Sequence, residues 1–582
     1  MTIHEERLEA IRKNLRREGA DGFILSNGDA FFSEYPPEHE KRLEWLTGFT
    51  GSAGTVVVLD HDHPERSAFF TDGRYTLQAK QEVDESLYEI HNSSEVSPIE
   101  WLKKHAAGDS ISFDPWLVSI AQLRSWKAQT RNLLWTPIRS NPVTQLWEDR
   151  PTPTQAPAFE YPMEYAGQSS AEKIALIAGK LQENDAVATL LTQPESVNWL
   201  LNIRGNDIEN TPLLLCRAIV TDKAEVHLYA DAERLPPLAN NVTIHPADIL
   251  RKHLKHWNQG AMWLQPSVTP VRLFRALKAS GTHIIQKQDP CTPPKAIKNN
   301  TELKNIRQTH LTDGLALTKF LHWLDIQTNL PTEITASDQL ENFRKESPDF
   351  REPSFPTISG FGSNGAIVHY RAEEESCLSF EKDNLYLVDS GGQYLGGTTD
   401  VTRTIAIGTP SQEMCENYTR VLQGHIAIST AIFPKGTNGN QLDSLARDPL
   451  WKVGLDYDHG TSHGVGCYMG VHEGPQSISK RSNGVALQKG MILSNEPGYY
   501  KTGKYGIRIE NLVEVVAAKA EEFLTFANLT CAPLDHRLVV KEMLTESEIE
   551  WWNNYHQWVW DHLNSELEGD IKEWFTQACA AL

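Results

Sequence analysis

The chain has 582 residues, and its 76 acidic side chains against 55 Lys and Arg give 55 − 76 = −21 at pH 7. A phosphate-backbone binder carries a basic stripe; no block of five Lys or Arg occurs here, so nucleic acid is excluded as the main partner. A hydrophobic fraction of 40% and a charged fraction of 23% are ordinary globular values, and at roughly 150 residues per domain the length predicts about two to four domains.

The first 22 residues alternate charges with Ile3, Leu8, Ile11 and Leu15, which predicts a surface helix rather than an apolar leader. Gly22–Leu25, Val56–Leu59 and Ala68–Phe70 follow as short apolar runs between turn residues, the pattern of strands in an α/β unit. Prolines 142, 151, 153, 157 and 162 then mark a boundary, because proline lacks a backbone donor and disfavours helix at the residue before it. Beyond it the alternation recurs, with a helix near Ala171–Leu181 and strands near Ala186–Leu191, Ala218–Val220 and Val226–Tyr229.

Pro290, Pro293 and Pro294 mark a second boundary, just ahead of Asn299–Glu302, which has the N-cap-x-x-Glu pattern. A long helix is predicted from Thr301 to about Gln327, followed by many strands with glycine-rich turns. The tail from Glu546 to Phe575 carries Trp551, Trp552, Tyr555, Trp558, Trp560 and Trp574 on helical spacing. These rings are expected to fill a core within the chain, with an oligomer interface as the alternative. No apolar run reaches the 18 residues of a membrane span. Seven scattered cysteines without a Cys-x-x-Cys pair point to a reducing, cytoplasmic setting.

Three motifs fail their context. Gly360-Phe361-Gly362-Ser363-Asn364-Gly365 matches a dinucleotide fingerprint but runs into Ala366–Tyr370, which reads as strand rather than the required helix. Gly48–Thr55 is glycine-rich but lacks a phosphate-binding lysine, so a structural turn is expected. Gly460-Thr461-Ser462-His463-Gly464 has the spacing of a nucleophile elbow, yet Asp456–His459 before it is no apolar strand and Val465-Gly466 after it opens no helix. His459 and His463 are four apart, as in a helical zinc motif, but the intervening glycines oppose a regular helix and no Glu follows the first histidine.

The chemistry concentrates further along. Leu385–Asp389 reads as a buried strand ending on an acid, and Val401–Ile405 as a second strand following Asp400, so Asp389 and Asp400 are expected to face one another across a hairpin. Two carboxylates so close repel unless one is protonated or cations lie between them. Met491–Glu496 delivers another acid to a turn, and alternation in Tyr505–Glu510 places Arg508 and Glu510 on one face, opposite Ile507 and Ile509. With His463, four carboxylates and one imidazole sum to −4, which two divalent cations would balance.

In order and type, Asp389, Asp400, His463, Glu496 and Glu510 resemble the five metal ligands of the pita-bread metallopeptidases. The stretches Asn364–Tyr370, Thr398–Thr404 and Val471-His472-Glu473-Gly474-Pro475 narrow the resemblance to the large three-domain, cytosolic-type Xaa-Pro aminopeptidase family. It covers nearly the whole chain, since Leu46–Thr55, Thr71–Tyr75 and Trp199–Gly205 resemble that subfamily's first two domains.

The resemblance implies an α/β and α+β multidomain chain: a creatinase-like α/β domain over 1–150, a second over 151–294, a pita-bread catalytic domain over 295–517 and a C-terminal extension over 518–582 packed on it. It implies that Asp400 and Glu510 bridge two metals, that Asp389 ligates one, and that His463 and Glu496 ligate the other. A water acidified between the metals would attack the scissile carbonyl, and Glu496 would relay its proton to the departing proline nitrogen. His369, His459 and His472 would line the substrate, His472 stabilising the tetrahedral intermediate, and Arg508 would orient the bridging Glu510. Manganese is the implied metal, although cobalt or zinc also suits such a shell.

Peptides with proline in second position are the implied substrates, and a homodimer the implied assembly. A proline dipeptidase is the alternative, and a non-catalytic peptide-binding module a remote one. One departure stands out: Ser462 replaces the family's usual glycine. A position demanding positive φ would strain serine by about 1 kcal/mol.

Overall fold

The computed structural model describes residues 2–60, 63 and 66–582. The chain forms two compact units, one comprising the chain through Tyr161 with Gln168–Glu209 and Leu213–Cys291, the other Pro162–Gly167, Asn210–Pro212 and Thr292–Leu582.

The first unit holds two six-stranded sheets. In the first, Gly22–Ser26 pairs antiparallel with Gly54–Leu59 and parallel with Ser110–Phe113. Strand periodicity sends Phe23, Leu25, Val56 and Val58 into one apolar cluster, where Leu8, Ile11 and Leu15 of the first helix meet them. It sends Ile24, Val57 and Leu59 into a second cluster on the opposite face with Leu102, Ile111 and Phe113. The helix itself runs Ile3–Glu18, started by a Thr2–Glu5 capping box and ended by Gly19 at φ 68°.

The second sheet, ordered Val242–His245, Val226–Tyr229, Arg217–Thr221, Ala188–Leu191, Met262–Leu264 and Ile284–Gln286, repeats the strand order of the first. The recurrence in the sequence is therefore a recurrence of topology as well.

In the second unit Asn299 caps the helix Asn300–Asp325 through a capping box with Glu302, close to the predicted span. Strands Ile358–Phe361, Asn384–Ser390 and Val401–Ile407 form one antiparallel sheet. Phe433–Pro434, Phe523–Asn528, Asn511–Ala517 and Ile492–Asn495 form another, beside the hairpin Gly498–Lys501/Tyr505–Arg508.

The aromatic tail forms helices Glu546–Leu563 and Gly569–Ala578. Trp552, Tyr555, Val559 and Phe575 enter the core cluster that holds Tyr418, Val421, Ile507 and Ile509, with Trp551, Trp558, Trp560 and Trp574 packed against it. One expectation is corrected. Gly362–Ala366 forms a short 3-10 helix, and Ile367–His369 turn rather than extend as a strand. Gly362 at φ 53° breaks the extended run after Ile358–Phe361.

Candidate metal centre

Asp389 lies near the end of the buried strand Asn384–Ser390, whose register places Thr402, not Asp400, directly opposite it. Asp400 sits one residue before the partner strand, displaced by the excursion through Gly392–Tyr394 and Gly397–Thr398. The hairpin predicted between the two acids is present, with a longer connection than a simple turn. It nevertheless brings the acids together: carboxylate oxygens of Asp389, Asp400 and Glu510 all lie within 4.8 Å of one another.

His463 enters from the two-residue strand Ser462–His463, paired with Ser477–Ile478. Its Nε2 lies 3.3 Å from Asp400 Oδ2 and 3.6 Å from Glu496 Oε1. Ser494 couples the two segments: its hydroxyl accepts from the His463 backbone N–H at 2.9 Å and donates to Glu496 Oε1 at 3.2 Å. His463, Glu496 and Glu510 form a second group with ligand atoms within 4.8 Å of one another, and Asp400, His463 and His472 a third. The His463 and His472 rings stand nearly perpendicular with centroids 4.3 Å apart, so His472, expected to line the substrate and stabilise the tetrahedral intermediate, also falls within reach of a shared cation.

Arg508 is buried behind these acids, and its main partner differs from the one expected. The guanidinium donates from Nη2 to Asp389 Oδ2 at 2.6 Å. Its hydrogen-bonded link to Glu510 runs through Thr402, whose hydroxyl accepts from Arg508 Nε at 3.1 Å and donates to Glu510 Oε2 at 2.8 Å. Alternation puts Arg508 and Glu510 on one face, but the chain length of arginine carries its fork past Glu510 to the neighbouring strand.

Sequence reasoning missed Tyr500. Its hydroxyl meets Arg508 Nη1 at 2.6 Å and His459 Nε2 at 2.9 Å. The available signal was Gly498, two residues earlier on the same face: a Cβ there would lie 2.7 Å from the Tyr500 hydroxyl. His459 Nδ1 is 3.9 Å from Glu496 Oε2. His369 is half-buried in the turn after Gly362–Ala366, and the carbonyl of its neighbour Val368 accepts from Arg508 Nη1 at 3.5 Å.

Ser462 is extended, paired with Ile478, and absent from the non-glycine residues at positive φ. The glycine usual at this position is therefore not required by backbone conformation.

The electrostatics suit cations. Burial pushes the Asp389 carboxyl up to about 7 against the pull of Arg508. Burial, with Asp400 and Asp389 alongside, holds Glu510 well above the carboxylate range, and burial also raises Glu496. For His463 burial acts downward, but the hydrogen bond to Asp400 and the nearby Glu496 charge outweigh it and carry the imidazole up to about 9. Asp389 Oδ1 and Glu510 Oε1 are buried without a hydrogen-bond partner among the described residues. Carboxylate oxygens without donors, crowded with an imidazole, fit divalent metal ions.

The two creatinase/prolidase N-terminal domain families match residues 7–144 and 149–302, metallopeptidase family M24 matches 304–517, and the C-terminal region of peptidase M24 matches 522–582. A probable Xaa-Pro aminopeptidase P of Laccaria bicolor is 38% identical, the alignment covering 99% of this chain and 93% of that protein. The chain belongs to metallopeptidase family M24, in the group that carries creatinase/prolidase N-terminal domains.

Aminopeptidase P2 of Arabidopsis thaliana is 36% identical, with 98% of this chain and 87% of that one covered. An X-prolyl aminopeptidase from Caenorhabditis elegans, described as a cytosolic enzyme with a di-nuclear active site, superposes with a TM-score of 0.95 at 33% identity over 100% of both chains.

Proposed function

We propose that the protein is a metal-dependent aminopeptidase that releases the N-terminal residue from peptides with proline in second position. The observation that carries the reading is the overlap of the ligand groups: Glu510 belongs both to the set with Asp389 and Asp400 and to the set with His463 and Glu496, so one carboxylate would serve two adjacent cations. Full-length similarity to Xaa-Pro aminopeptidases supports the substrate class. A dedicated enzyme suits this bond, because proline offers no N–H to a protease that reads its substrate as a hydrogen-bonded strand.

Two divalent ions, when bound, would acidify a water and polarise the scissile carbonyl. Asp389, Asp400, His463, Glu496 and Glu510 are the proposed ligands, and Asp400 and Glu510 would be shared between the two ions. Manganese is the proposed metal, favoured by an oxygen-rich donor set. Glu496, raised by burial and steadied by the Ser494 hydroxyl, takes the water proton and hands it to the proline nitrogen. Arg508 holds Asp389 directly and Glu510 through Thr402, fixing both carboxylates. His369, His459 and His472 line the substrate, and His472 is assigned to the developing oxyanion.

The proposed domains are 1–150, 151–294, 295–517 and 518–582. A cytoplasmic setting is supported by seven free cysteines; among the described residues no helix is long and apolar enough to cross a membrane. A homodimer is proposed on the exposed Leu445, Trp451 and Val453 on and after the helix Asp443–Trp451. Light scattering tests it: a 65.5 kDa particle rules the dimer out. The reaction is tested by incubating a Xaa-Pro-Xaa tripeptide with the manganese-loaded protein. Release of the first residue supports the reading, whereas cleavage of Xaa-Pro dipeptides alone makes the protein a proline dipeptidase.

A further inference from the structure

Beside the metal centre lies a second charged cluster that the reaction described above does not use. Glu473, immediately after His472, has a side chain 4% exposed and lies 2.9 Å from Lys295 Nζ and 3.5 Å from Lys298 Nζ, themselves 6% and 2% exposed. One carboxylate is thus shared by two enclosed ammonium groups. Burying three charges in this way is costly, and an apolar set of similar volume is often at least as stable, so stability alone does not account for the cluster.

The backbone shows what it holds. The Glu473 N–H donates to Gly464 O at 2.8 Å, fastening the His472 segment to the residue after His463. The two segments are in contact: a Cβ on Gly464 would lie 2.3 Å from the Glu473 carbonyl oxygen, and one on Gly466 3.1 Å from Glu473 Oε2. On the other side the lysines are tied by hydrogen bonds to the start of the long helix. Lys298 Nζ donates to Lys295 O at 3.1 Å, its N–H donates to Gly490 O at 2.9 Å, and the next residue, Asn299, caps the helix Asn300–Asp325. His472 is therefore held from one side by the His463 loop and from the other by a charge clamp anchored at the start of a 26-residue helix.

We propose that Lys295, Glu473 and Lys298 are positioning residues that fix the His472 ring against His463, and so act on the reaction through His472 alone. This rests on the aminopeptidase reading above. The charge sets direction as well as distance, because a carboxylate drawn to two ammonium groups has one low-energy place, and His472 follows its backbone.

The test is a double-variant cycle on the manganese-loaded full chain with a Xaa-Pro-Xaa substrate. Glu473→Gln, which keeps volume and removes charge, is expected to lower kcat about 10- to 100-fold, with KM changed less than about threefold and both metal equivalents retained. Glu473→Asp is expected to recover part of the loss. His472→Ala combined with Glu473→Gln is expected to be no slower than His472→Ala alone, since residues acting as a unit are not additive. A further tenfold fall in the double variant, or an unchanged kcat in Glu473→Gln, overturns the proposal.

Should Glu473→Gln fail to fold, Lys298→Met, which leaves the Lys295–Glu473 pair, replaces it in the same cycle with the same criterion. A wild-type protein that cleaves no Xaa-Pro bond would defeat the reading of the reaction instead, so the two failures are distinguishable.

Discussion

Two buried strands show how differently the two units use the same geometry. Gly54–Leu59 sends Val56 and Val58 to one apolar cluster and Val57 and Leu59 to another. Val401–Ile407 is buried at all seven positions, yet it carries Thr402, Arg403 and Thr404 inside. Val401, Ile405 and Ile407 join an apolar core, while Thr402 donates to Glu510 Oε2 at 2.8 Å and Arg403 to the Glu510 carbonyl at 2.8 Å. The first strand is held by area removed from water, which is non-directional. The second is held by directed bonds that also aim a carboxylate. Changes in the first should cost stability alone; changes around the second should cost chemistry.

The widest break in the comparison is expected at Glu496. Glu496→Ala should lower kcat by about 10³-fold or more while far-UV circular dichroism stays unchanged; residual turnover above a tenth of wild type would remove Glu496 from the proton path. Trp552→Ala, in the core beneath the hairpin that carries Arg508, should cost about 3–5 kcal/mol in urea unfolding, with kcat per folded molecule altered far less. Arg508→Gln leaves Asp389 without its cation and should weaken metal affinity about 10- to 100-fold, read by titration of the metal-free protein.

Metal binding should also depend on pH. Asp389 raised to about 7 and His463 raised to about 9 both hold protons that ligation must displace. Affinity should therefore climb as pH rises through about 6 to 9, with proton release visible by calorimetry in buffers of different ionisation enthalpy. A pH-independent affinity would show that the acids are already ionised. The smallest effect is expected at Ser462: because it is extended in a strand, Ser462→Gly should destabilise by about 0.5–1 kcal/mol through backbone entropy, with metal affinity unchanged.

Much of this was legible in residue order. Short apolar runs ending at turn residues located Gly22–Ser26, Asn384–Ser390 and Ile492–Asn495, and the N-cap at Asn299 located the long helix, because these signals are local. The five acid and imidazole positions were readable because strand ends deliver side chains to turns, and the resemblance to a known family implied how they would share two metals. The partner of Arg508 was not readable: whether a long side chain bonds its own strand or the neighbour depends on register, and register places Thr402 opposite Asp389.

Tyr500 escaped for a similar reason, since its hydroxyl reaches His459 across 41 positions of sequence. The strand expected over Ala366–Tyr370 failed because Gly362 adopts a left-handed turn that alternation does not record. The Lys295–Glu473–Lys298 clamp joins residues about 175 apart, and nothing in either segment announces the other.

The central claim is that one carboxylate cluster holds two cations and directs a water at the bond before proline. The most direct measurement is product analysis of a Xaa-Pro-Xaa tripeptide with the manganese-loaded protein, the chelator-treated protein and Glu496→Ala. Release of the first residue by the loaded protein alone, restored to the chelated protein when manganese is returned, is the predicted result. Equal release by Glu496→Ala, or release that persists after complete metal removal, would contradict it.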